Sequence, residues 1–298
     1  MINVVIVSKL AVGAAPWNIY HCLSKYAADS LSVRFITFRN SYDDGRVFPF
    51  DLLWSDPQAI PILKNANAIH FQNHLPEQCI PYINKNTQKI YGTLHSVPRM
   101  GNWQELLSYC HQTFVIRQPA QMREYPNLKT LPTPFDIWEH MPDTTRKWNN
   151  PLTVLYCPSN KFPVSHRASK GYSYVLPLLQ DLEKKGLYNL LHFMGIPYIK
   201  NLELKKQAHI VIDDIVADHK TFHLTSIEAA AHAQAVLTGT SSPYPFLETT
   251  QYTLELMLKY LFDRPDIAEE EGAESRNWIE KYWNPQDIAQ EYIHLYNS

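Results

Sequence analysis

Two short stretches of this chain hold the residue types that could grip a phosphate and a ribose together. The first is Lys170-Gly171, a cation and a glycine ahead of an apolar-periodic stretch. The second is Thr225-Ser226-Ile227-Glu228-Ala229-Ala230-Ala231, closed by Ala235-Val236-Leu237-Thr238-Gly239. Phosphates favour helix starts, where unbonded backbone N–H groups and the positive end of the helix dipole face the anion. A ribose diol suits a carboxylate acceptor such as Glu228. Lys170 beside one helix start and Glu228 on another therefore read as a nucleotide-sugar grip. The plain alternatives are an exposed lysine at a helix start, hydroxyl capping by Thr225 and Ser226, and a solvated first-turn acid at Glu228.

Elements must position these residues, and the apolar pattern supplies them. Short apolar runs flanked by turn residues predict strands over 3–8, 32–38, 68–71, 89–94 and 113–116, and again over 153–157, 190–194, 210–213 and 235–238. Helical stretches separate them. One covers 16–27, opened by Pro16, whose missing N–H costs nothing in a first turn. Val175, Leu178, Leu179 and Leu182 form a core-facing stripe, as do Leu254, Met257, Leu258 and Leu261, and Ala289, Tyr292, Ile293 and Tyr296. Strand–helix alternation favours parallel sheets covered on both faces. The proline-punctuated segment 131–142 and the polar stretch 146–151 mark a boundary, giving domains over 1–145 and 146–284. Two such domains imply a ligand cleft at the carboxyl ends of their strands.

Bulk properties narrow the class. The chain has 298 residues, 45% hydrophobic and 19% charged, as in ordinary globular proteins. A formal charge of −2 neither suggests nor excludes a nucleic-acid partner. Cys22, Cys79, Cys110 and Cys157 are scattered with no CxxC pair, which argues against zinc and for a reducing compartment. No apolar run reaches the ~20 residues of a membrane span, so a soluble, cytoplasmic protein is expected. There is no GxSxG elbow for Ser-His-Asp catalysis.

The second half resembles the nucleotide-sugar domain of GT-B glycosyltransferases, in particular the retaining family 4 group. Tyr156-Cys157-Pro158-Ser159-Asn160 followed by Lys170-Gly171 is similar to that family's strand, "PS" loop and "KG" helix start. The resemblance implies two Rossmann-like doubly wound α/β domains facing a central cleft, with the helix at 285–298 packing back on the first. It also implies that Lys170, with Arg167 or Lys161, neutralises a donor diphosphate. Residues 218–239 resemble the family's Glu, seven residues, Glu motif. Glu228 aligns with the second glutamate, which holds the ribose, but Lys220 stands at the first and His223 at the usual glycine. Ser159, Asn160, His223, Leu224, Thr225 and Ser226 fall where the family contacts its donor.

In the first half, Gly13 and Ala14 resemble the small-residue loop that approaches the phosphate, and His95 resembles the histidine beside the reacting sugar. A tight strand–helix turn and a histidine satisfied within its loop remain the plain alternatives. His70, Asn73 and His74 cluster after the third strand, where they could line the acceptor side, and Trp17, Trp103 and Trp138 could stack on a sugar or a base. Arg99, Arg117, Arg123 and Lys129 would suit a polyanionic acceptor if they shared a face. The resemblance implies transfer from a nucleoside-diphosphate sugar, a UDP-sugar first, to a glycan, a small molecule or a hydroxylated nucleic-acid base. Asp213-Asp214 is adjacent rather than spaced as Asp-x-Asp, so neither metal nor cofactor is expected. Lys220 and His223 keep two alternatives open, an inactive sugar-nucleotide-binding homologue and a sugar-nucleotide epimerase.

Overall fold

The apolar run after Met1 forms β1 (Ile2–Ser8), whose last five residues are buried. Such a strand needs a neighbour on each edge and cover on each face. It has parallel partners on both edges, β2 (Leu31–Thr37) and β4 (Ala68–Gln72). With β3 (Leu52–Leu53), β5 (Lys89–Leu94), β6 (Gln112–Ile116) and β7 (Lys129–Leu131) they make a seven-stranded sheet of order β3-β2-β1-β4-β5-β6-β7. Helices α1 (Ala15–Tyr26), α2 (Ala59–Lys64), α3 (Trp103–Tyr109) and α4 (Pro119–Glu124) connect the strands. The order changes direction between β1 and β4, so that sheet's ligand edge lies outside their carboxyl ends.

A computed structural model describes residues 1–10, 13–95, 103–158, 170–240 and 243–298. It divides into two units, Met1–Asp136 with Trp283–Ser298, and Ile137–Tyr282. In the second, β8 (Leu152–Tyr156), β9 (Tyr188–His192), β10 (Ile210–Ile212), β11 (Ala235–Thr238) and β12 (Leu247–Glu248) form a parallel sheet of order β12-β11-β10-β8-β9. Its direction changes between β8 and β10. Around it run α5 (Tyr172–Lys184), α6 (Tyr198–Lys205), α7 (Leu224–Ala231), α8 (Leu254–Asp263) and α9 (Pro265–Tyr282). The last helix, α10 (Pro285–Asn297), belongs to the first unit. Among the described residues no helix is long and apolar enough to cross a membrane.

Leu152, Val154, Val175, Leu179, Leu182, Ile210, Leu237, Leu254, Leu258 and Leu261 share one core cluster, so the stripes of α5 and α8 face the second sheet. In α10, Ala289, Tyr292 and Tyr296 are buried. Tyr292 donates to the Pro132 carbonyl, and Tyr296 shares a 2.7 Å hydrogen bond with His70 Nδ1. Three differences from the sequence reading have local causes. The units divide at 136/137 rather than 145/146. The reason is Arg276 of α9, whose guanidinium binds the carbonyls of Ile137 and His140 and ties that segment to the second unit. β9 begins at Tyr188, because the Tyr188 ring and hydroxyl are buried. Finally, β3, β7 and β12 are two or three residues long, too short to carry a pattern.

Gly272 in α9 shows how tightly the second unit packs. A Cβ there would stand 2.5 Å from the Ala233 carbonyl oxygen, which is backbone and cannot swing aside. Gly272→Ala is therefore expected to lower stability by about 1–3 kcal/mol, despite alanine's better helix propensity. Urea unfolding measures this, and an unchanged or raised midpoint would show that α9 has room to move.

Candidate functional site

β10 ends at Ile212, and the next residue, Asp213, sits outside the strand ends where the second sheet changes direction. Its side chain is fully buried. An unpaired carboxylate in such a place is very costly. Lys170 Nζ meets Oδ1 at 2.5 Å, while the His223 backbone N–H and the Ser226 hydroxyl donate to Oδ2 at 2.7 and 2.6 Å. His223 Nδ1 lies 3.4 Å from Oδ1. Burial opposes ionisation, but the charges of Lys170 and His223 outweigh it and hold the carboxyl well below the usual range.

This carboxylate organises the start of α7. Thr225 and Ser226 do not precede the helix as caps. The helix begins at Leu224, and its N-cap, His223, makes no side-chain capping bond. Asp213 takes that part from a neighbouring strand, and the Ser226 hydroxyl is spent on it. Among the described residues, the Leu224 and Thr225 N–H groups have no acceptor. Thr225 Oγ1 accepts a 3.0 Å hydrogen bond from Lys170 Nζ. An ammonium, a hydroxyl and two open N–H groups thus lie at one helix end, a fitting arrangement for a phosphate. At the other end, Arg276 donates to the Ala231 carbonyl, and Arg146 to those of His232 and Ala233. Two cations there match the negative end of the dipole.

Lys170 reaches Asp213 through an unusual backbone. Its φ is 48° and that of Gly171, the N-cap of α5, is 80°. Glycine takes the left-handed region freely, whereas lysine pays about 1–2 kcal/mol. Lys170 is also only 5% exposed, so the picture of an exposed helix-start lysine does not hold.

Glu228 lies one turn into α7 and is 2% exposed. The Tyr198 hydroxyl donates to Oε1 at 2.9 Å, and Lys205 Nζ donates to Oε2. Burial alone would lower the Lys205 pKa, but the Glu228 charge outweighs it and holds that pKa above the ordinary value. Cys157, at the end of β8, feels the charges of Lys205, Lys170, Glu228 and Asp213, and burial pushes its thiol up. It therefore sits as a neutral group among two ion pairs. Asp214 turns the other way and takes His219 Nδ1 at 2.8 Å, with the Val216 N–H at 3.2 Å.

Most of the remaining sequence candidates belong to the first unit; Trp138, Ser159, Asn160, Lys161 and Arg167 belong to the second. Gly13 and Ala14, with φ of 55° and 64°, turn the chain into α1. His95 follows β5. Its Nε2 bonds Gln72 Oε1 at 2.6 Å, and its backbone N–H bonds Asn73 Oδ1 at 3.1 Å. Burial, with the nearby His74, pushes its pKa down to about 3, so the ring is neutral near pH 7. With Nε2–H spent on Gln72, Nδ1 is an acceptor that can orient a hydroxyl, but the ring is no proton donor. His70 is a core residue, held between Tyr296 and Thr93. Trp17 stacks on His21, Trp103 packs against Tyr125, and Arg276 lies over Trp138. Arg117 is paired with Glu291, which weakens a shared basic face. Ser159, Asn160 and Arg167, with Lys161 and Arg99, lie outside the described residues.

Lys170, His223, Thr225 and Ser226 are thus brought together, with Glu228 further along the same helix. The sequence reading missed Asp213 as their hub, weighing it only as half of a metal pair. It also missed Tyr198 and Lys205, whose one signal was their seven-residue spacing ahead of a strand.

Removing one partner of a buried pair costs about 3–5 kcal/mol, whereas removing both costs less. Asp213→Asn is expected to destabilise the protein by that order, and Lys170→Met added to it to recover part of the loss. A urea double-mutant cycle measures the coupling, and a value below about 0.5 kcal/mol would mean that the two residues act independently. The pH dependence has a definite sign. His70, His95 and His232 are pushed down to about 3 by burial, against about 6.5 in an unfolded chain. Between those values the unfolded chain binds protons that the fold refuses. Stability is therefore complete above about pH 6.5 and falls on acidification, by up to about 1.4 kcal/mol per pH unit for each histidine. Unfolding midpoints that stay level from pH 7 to 5 would contradict this.

No protein-family model matches the chain, and no curated protein matches its sequence. Solved structures do resemble it. An alpha-glucosyltransferase in complex with UDP aligns at a TM-score of 0.69 and 9% identity over 100% of both chains. Anabaena HepE in complex with UDP and glucose aligns at 0.69 and 10%, over 99% of both. A glycosyltransferase from Rickettsia africae aligns at 0.65 and 12%, over 99% of this chain and 97% of that one. Identities this low speak for architecture alone, and over its whole length this chain has the GT-B fold of glycosyltransferases.

Proposed function

We propose that the second unit binds a nucleoside-diphosphate sugar, with a UDP-sugar as the expected donor, and that the protein transfers the sugar to a hydroxyl acceptor. One observation carries the reading. Lys170 Nζ, the Thr225 hydroxyl and the open N–H groups of Leu224 and Thr225 share the start of α7, at the direction change of the sheet. Glu228 lies about 6 Å further along that helix axis, a span that suits diphosphate and ribose.

In the transfer, the acceptor oxygen bonds to the anomeric carbon as the bond from that carbon to the diphosphate oxygen breaks. The leaving diphosphate keeps the electron pair, and the acceptor's proton is released. Charge grows on the diphosphate, where Lys170 and the helix N–H groups can stabilise it. The family resemblance assigns Arg167 a second cation's part, Ser159 and Asn160 a place beside the donor, and retention as the outcome. Metal-independent transfer without a cofactor is favoured because Asp213 and Asp214 are already taken by Lys170, His223, Ser226 and His219. The same resemblance assigns Gly13 and Ala14 an approach to the donor phosphate and His95 a place beside the transferred sugar.

A second reading is a sugar-nucleotide-binding protein without transfer. It is favoured by Lys220, with φ 42°, standing where the family has its first glutamate. Calorimetry with UDP separates site from non-site. Lys170→Met is expected to weaken binding at least tenfold and Lys170→Glu to abolish it, and unchanged affinity in the charge reversal would sink the assignment. Slow hydrolysis of UDP-glucose or UDP-N-acetylglucosamine would favour transfer. Binding with no turnover across a broad acceptor panel would favour the second reading.

A further inference from the structure

Glu228 is not a mobile side chain waiting for a partner. Tyr198 and Lys205 stand at the first and last positions of α6, seven residues apart. Two turns at 3.6 residues per turn bring such positions onto one helix face. From it they take opposite oxygens of one carboxylate, Tyr198 on Oε1 and Lys205 on Oε2. Both are largely buried, as is Glu228. The far end of α6 is fastened too, since the Gln234 side-chain amide donates to the carbonyls of Lys205 and Ala208.

An ionised carboxylate has about four acceptor positions. Two are taken here, and the other two have no donor among the described residues. Lys205 and Tyr198, one on each oxygen, together stop the carboxylate rotating. The rotamer entropy of Glu228 is therefore lost on folding and not again on binding.

We propose that Tyr198 and Lys205 are positioning residues for ribose recognition, and that their hold on Glu228 makes the site select ribonucleotides over 2′-deoxyribonucleotides. This rests on the donor-site reading above. A purely structural ion pair would make a different prediction. Losing it would lower stability and weaken both ligands alike, leaving their ratio untouched.

The test is calorimetry with UDP and 2′-deoxy-UDP, repeated with the GDP and ADP pairs. The wild type is expected to bind the ribonucleotide at least about tenfold more tightly, as fits hydrogen bonds to a charged acceptor. Tyr198→Phe should shrink that ratio about threefold. Lys205→Met alone strands a buried carboxylate, so Lys205→Met with Glu228→Gln is the companion variant, and it should bring the ratio near one. Variants that keep the wild-type ratio would overturn the proposal, as would a wild type that binds UDP without discriminating. A wild type that binds none of the three ribonucleotides would instead overturn the donor-site reading.

Discussion

The second unit turns on a single buried carboxylate. Asp213 directly follows β10, neutralises Lys170, and accepts from the His223 N–H and the Ser226 hydroxyl. One side chain thereby joins the end of a strand, the start of α5 through Lys170, and the start of α7. Charge requires the arrangement, because a buried carboxylate must recruit donors. In doing so it leaves the next two N–H groups of α7 open. The features that suit a phosphate are by-products of satisfying Asp213.

Charge in this region is balanced internally. Lys170 faces Asp213, Lys205 faces Glu228, and Cys157 lies among them as a neutral group. Such pairs are weak evidence for stability, since desolvation offsets much of the attraction. What they provide is geometry, for each cation and each acid is held before any ligand arrives. A second contribution comes from Arg276 and Arg146, which take the carbonyls at the far end of α7. The helix is thus held at both termini by side chains from outside it.

The sheets were legible in the sequence because parallel strands buried on both faces read as apolar runs, as at 3–8 and 235–238. The helices α5, α8 and α10 were legible from their stripes. Of the candidate site, Lys170 and Glu228 stood out through motif resemblance and through the chemistry of helix starts. Their partners did not, because pairing across 43 residues, as from Lys170 to Asp213, leaves no local pattern. The burial of Lys170 was unreadable for the same reason, since a lysine reads as exposed until its counter-ion is known. His70 misled in the opposite sense. It looked like a ligand-edge residue, but Tyr296 claims it from the far end of the chain.

The placement of α10 bears on how the chain can be cut. The first unit comprises Met1–Asp136 and Trp283–Ser298, so the backbone passes from one unit to the other twice. Trp283 donates to the Thr133 carbonyl, and Tyr292 and Tyr296 are core residues of the first unit. Trimming the carboxyl terminus would thus strip the amino-terminal unit of part of its interior while leaving the second unit whole. A fragment meant to isolate the first unit needs residues from both ends of the sequence, and circular permutation, rather than truncation, is the natural way to make it.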